Sequence, residues 1–81
     1  MKRVQVFDVS VDKDEALWNT IRRLYPKELA ALPNDTSPYV SYFGAAGSLT
    51  AIVTFVFPKS SEDAEFEYAD GVWKRTRDWN D

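Results

Sequence analysis

With 81 residues, 44% hydrophobic and 28% charged side chains, the chain has the size and composition of one globular domain (residues 1–81), and wholesale disorder is excluded. Neither Cys nor His occurs, which excludes disulfides, thiol nucleophiles, Cys-type zinc sites and imidazole proton transfer. The formal charge of −3 argues against broad nonspecific nucleic-acid binding, which needs a positive field. Glycine stands only at 44, 47 and 71, so no glycine-rich phosphate loop can be built. No cofactor, no metal and no catalytic residue is expected, and the chain is not expected to be an enzyme. Aromatic residues reach 15%, a large supply of rings for a domain short enough to bury only ~60% of its unfolded surface.

Taken in chain order, the first apolar stretch is broken at Gln5 and Asp8, so it forms no signal-peptide core and a cytoplasmic location is expected. Residues 3–11 alternate as a half-buried strand, with a parity switch near Val6 and Phe7 that a bulge or bend would reconcile. Asp12 then reads as a helix cap with Glu15 three residues on. Leu17, Trp18, Ile21, Leu24 and Tyr25 recur at the spacing of one helix face, with Asp14, Asn19, Arg22 and Arg23 opposite. Pro26 ends that helix and opens a short second one over residues 27–32, and residues 33–38 are loop on their turn chemistry.

Residues 36–58 carry no charge over 23 positions, long enough for a membrane span. The polar residues among them and the turn at residues 44–48 divide the stretch into two strands, residues 39–43 and 49–57, and no membrane association is expected. In the second strand Leu49, Ala51, Val53, Phe55 and Phe57 share a face that the helix should cover. Thr50, Ile52, Thr54 and Val56 share the other, half-wet face. Residues 58–63 read as loop. Residues 64–68 and 72–77 flank Asp70-Gly71, a strong hairpin signal, in a register that sets Tyr68 opposite Trp73, Glu67 opposite Lys74 and Phe66 opposite Arg75. The expected fold is α+β: a four- to five-stranded antiparallel sheet in the order β-α-β-β-β-β, with one amphipathic helix packed on one face.

Two features of the last strands bear on function. Strict alternation puts Trp73, Arg75, Arg77 and Trp79 on one strand face with Tyr68 and Phe66 beside them, and Trp, Tyr and Arg are the residues enriched at binding hot spots. Before them, Glu62, Asp63, Glu65, Glu67 and Asp70 make an acidic row, suited to a basic partner or to guarding an edge strand. The string from Glu65 to Trp73, nine residues of the chain, resembles the closing hairpin of small acidic immunity proteins that neutralise nuclease colicins; the resemblance implies an inhibitor-type role and assigns no residue. The expected function is a small acidic non-enzymatic protein-binding module, an inhibitor or immunity-type protein, with Glu65, Glu67, Tyr68, Trp73, Arg75, Arg77 and Trp79 as its contact surface. Another protein is the expected partner. The alternatives are single-stranded nucleic acid, read by the Trp/Arg strand, and a structural subunit or homodimer burying the Thr50-Ile52-Thr54-Val56 face.

Overall fold

The computed structural model describes residues 3–45 and 47–79. Its elements are β1 (Val4–Val6), α1 (Val11–Leu24), α2 (Pro26–Ala31), β2 (Tyr39–Ala45), β3 (Ser48–Val56), β4 (Ser61–Ala69) and β5 (Val72–Arg77). All five strands form one antiparallel sheet in the order β1-β2-β3-β4-β5, so the fold is the α+β arrangement expected from the sequence. The uncharged stretch is β2 and β3, and no helix among the described residues is long and apolar enough to cross a membrane.

Alternation fixes what each strand buries. Ala51, Val53 and Phe55 of β3, Ala64 and Phe66 of β4 and Trp73 of β5 pack under Leu17, Ile21 and Tyr25 of the helical layer. Trp18, Leu24, Leu29 and Leu32 close the sides of this core. The opposite face of the sheet, with Ser41, Phe43, Thr50, Ile52, Thr54, Asp63, Glu65 and Glu67, is covered by no described element. The last hairpin has the anticipated register, Tyr68 with Trp73, Glu67 with Lys74 and Phe66 with Arg75. Asp70 and Gly71 both take positive φ, 53° and 81°, as a two-residue turn matched to strand twist requires.

Several boundaries differ from the sequence reading. The first strand does not run through residues 3–11. It stops at Val6, and the parity switch is resolved by the chain bending away at Phe7. Helix α1 is capped by Ser10 rather than Asp12: the Ser10 Oγ accepts from the Lys13 N–H at 3.4 Å, and the Ser10 carbonyl accepts from the Asp14 N–H. Asp14 is not on the side away from the sheet, because its carboxylate accepts the Tyr42 hydroxyl proton. The turns at residues 44–48 and 58–63 are tighter than expected, since Ala45 already pairs with Ser48 and Val56 with Ser61. Gly44 leaves room for Val6 of β1, whose Cγ2 would lie 3.1 Å from a Cβ at that position.

Burial sets the energetic ranking. Phe66 is fully buried between sheet and helices, so Phe66→Ala is expected to cost about 3–5 kcal/mol. Thr54→Ala, which removes an exposed hydrogen bond to Asp63, is expected to cost about 1 kcal/mol. Urea unfolding of the two variants checks this; a Thr54 effect as large as that of Phe66 contradicts the assignment of faces.

Candidate functional site

The C-terminal hairpin divides its expected contact residues between two faces. The division follows from a bulge: Phe66 pairs with Arg75 and Glu65 with Arg77, so Thr76 is an extra residue in β5. Its hydroxyl donates to the Glu65 carbonyl at 3.1 Å. Trp73 and Arg75 therefore stand on the helix side with Tyr68, whereas Arg77 stands opposite Glu65 on the uncovered side with Glu67. The Trp-Arg-Arg-Trp face expected from strict alternation does not exist as a face.

On the helix side the side chains are held by their own domain. Trp73 is only 4% exposed, packs edge-on against Tyr68 and donates its Nε1–H to the Lys13 carbonyl at 2.8 Å. The Lys13 ammonium lies 5.1 Å from the centre of the Tyr68 ring. Trp79 folds back and stacks on Tyr25, with ring centres 5.3 Å apart, and meets Phe55 edge-on. Arg75 lies over the Tyr25 ring, donates to its hydroxyl at 3.2 Å and pairs with Asp78 at 3.1 Å. Asp78 is 8% exposed and also accepts from the Tyr25 hydroxyl at 3.3 Å. Sequence reading missed Asp78 as the buried partner of Arg75; the i, i+3 spacing of an Arg and an Asp beside a returning Trp was its only signal.

On the uncovered side two carboxylates of the acidic row, Glu65 and Asp63, have partners within the domain. Glu65 pairs with Arg3 at 3.0 Å across the sheet and faces Arg77 in the ladder. Glu67 faces Lys74, and Asp63 accepts from Thr54 at 2.7 Å. Among the described residues the close ion pairs are Arg3–Glu65 and Arg75–Asp78, rather than Glu67–Lys74 as the register led one to expect. Around these groups lies apolar surface: Tyr39 is 68% exposed and Val56 46%, with Phe43 and Ile52 half-buried between them. No cavity opens among the described residues, and no three carboxylates converge on one point. The chain matches no protein family, no curated protein and no solved structure.

Two phenols are perturbed. Burial pushes the Tyr25 hydroxyl above its usual value, against the opposing pull of the Arg75 guanidinium. Burial, and then the Asp14 carboxylate that accepts its hydrogen bond, raise Tyr42. Both groups hold their protons more tightly folded than unfolded, so their contribution to stability is complete below the unfolded value of about 10 and is lost as pH rises beyond it. Denaturant midpoints measured from about pH 9 to about pH 11 should fall, and less steeply in Tyr42→Phe. An equal slope in that variant contradicts the Tyr42 assignment.

Proposed function

We propose that this chain is a non-enzymatic protein-binding module of the inhibitor or immunity type, which blocks a target macromolecule by docking the uncovered face of its sheet. The observation that supports this reading is a sheet whose second face is covered by no described element and presents Tyr39, Phe43, Ile52 and Val56 around carboxylates of which Glu65 and Asp63 already have partners within the domain. Desolvating such a face costs less than desolvating unmatched carboxylates, and exposed rings supply contact area at little conformational cost. A face with no cleft suits a macromolecular surface better than a small substrate.

The contact set is narrower than the hairpin as a whole. Glu65, Glu67 and Arg77 border the docking face, whereas Tyr68, Trp73, Arg75 and Trp79 act from behind it by holding the strands in place. Because Trp73 and Trp79 lie against the core, base stacking on a Trp/Arg strand receives no support from their geometry. The test is affinity capture from lysate with the full chain, with and without nuclease, at low and moderate salt. A retained protein should be lost with Tyr39→Glu or Val56→Lys, each weakening binding by about 2 kcal/mol or roughly thirtyfold, and kept with Arg22→Glu on the far side of α1. Retention that follows the Arg22 variant instead, or recovery of nucleic acid that disappears at moderate salt, overturns the proposal.

A further inference from the structure

The two edges of the sheet are built differently. Strand β5 carries Lys74, Arg75 and Arg77 and is kinked by the extra residue Thr76, devices that keep an edge from pairing with another chain. Strand β1 has neither. It reads Val-Gln-Val without a charge, and the preceding Arg3 is drawn across the outer face to Glu65. Exposed apolar residues follow in the same stretch of sequence: Val4 is 62% exposed, Phe7 87% and Val11 71%. Of the six large hydrophobic residues exposed among the described residues, Val4 lies on β1, Phe7 in its link to α1 and Val11 at the first position of α1, close in sequence to an undefended edge.

We propose that β1 is the pairing edge of a homodimer, in which a second copy adds its own β1 antiparallel about a two-fold axis through Gln5. The occupant is a second copy because this segment is its own complement. With Gln5 opposite Gln5, each Val4 meets a Val6, apolar against apolar on the helix side of the joined sheet. The axis runs through the sheet, so both helical layers stay on one side and the two outer faces become continuous. This surface is separate from the docking face proposed above and from the Thr50-Ile52-Thr54-Val56 dimer face expected from the sequence.

Sedimentation of the full chain over a range of concentrations tests the idea, and a concentration-dependent monomer–dimer equilibrium is expected. Gln5 is exposed in the single chain, so Gln5→Lys should leave the melting temperature of the dilute protein unchanged. It sets like charges against each other at the axis and should raise the dimer dissociation constant about tenfold or more. Because the chain contains no cysteine, Gln5→Cys is a single-thiol probe. Residues opposed across an antiparallel pair lie about 4.5–5.5 Å apart at Cα, within disulfide reach, so mild oxidation should link the two copies. Lys74→Cys on the other edge should stay monomeric under the same oxidation, and Tyr39→Glu on the docking face should leave the dimer intact. A chain monomeric up to millimolar concentration, or a dimer that Gln5→Lys leaves unchanged, overturns the proposal.

Discussion

The position of Tyr25 governs much of the rest of the structure. Pro26 disfavours helical geometry at the residue before it, and Tyr25 accordingly leaves the helix with φ −128° and ψ 48°. It still donates its N–H to Ile21 and offers its carbonyl to Leu29, so one residue closes α1 and starts α2. Its ring lies 5.3 Å from Phe55 and 6.4 Å from Phe66, and its hydroxyl reaches the Arg75–Asp78 pair. A helix break that elsewhere would be a local event here anchors the C-terminal strand and the returning Trp79 to the core. Without that anchor Trp79 would lose the ring it stacks on, and Arg75 and Asp78 the hydroxyl they share.

Periodicity carried most of the fold. The Asp70-Gly71 register, the apolar spacing from Leu17 to Tyr25 and the odd-numbered apolar row of β3 each follow from a local repeat, and a local repeat can be read without knowing the partners. What could not be read locally is what long-range contact decides. Thr76 becomes an extra residue through its pairing with Glu65, and that one displacement moves Arg77 to the face opposite Arg75. Ser10 and Asp12 are both acceptable caps, and the early end of β1 gives the role to Ser10. Asp14 falls on the polar side of a helical wheel, but the hydroxyl of Tyr42, 28 residues away, reaches it. Half of the candidate site was legible in consequence: its residues were named, but the face each belongs to depended on the bulge.

The same displacement alters the electrostatics. As a sequence, residues 41–81 carry four basic and seven acidic side chains, and the row from Glu62 to Asp70 suggests an acidic contact surface. On the uncovered face, however, Asp63, Glu65 and Glu67 are accompanied by Arg3, Lys74 and Arg77, three charges of each sign. The net charge of −3 therefore resides elsewhere, and the face itself is close to neutral. Association through such a surface gains little from long-range steering and depends on fit and on apolar area. For an inhibitor-type module that means selectivity set by shape rather than by sign.

The distribution of rings ties the two proposed surfaces together. A domain of this size has little apolar area to spare, and nine of its twelve aromatic residues lie in the core or against it: Trp18, Tyr25, Tyr42, Phe55, Phe57, Phe66, Tyr68, Trp73 and Trp79. Three remain outside. Tyr39 and Phe43 alternate along β2 on the uncovered face, and Phe7 follows β1 at the undefended edge. Phe43 is half-buried, with the Arg3 guanidinium 5.8 Å from its ring centre, whereas the exposed rings of Tyr39 and Phe7 add apolar surface without adding to the core, so folding alone does not account for those two. They mark one sheet face and one sheet edge, and in the proposed dimer pairing at the edge extends the face of one copy into that of the next. A target docking there would meet Tyr39 and Phe43 from two copies at once, which ties the proposed edge pairing to the proposed face binding by geometry.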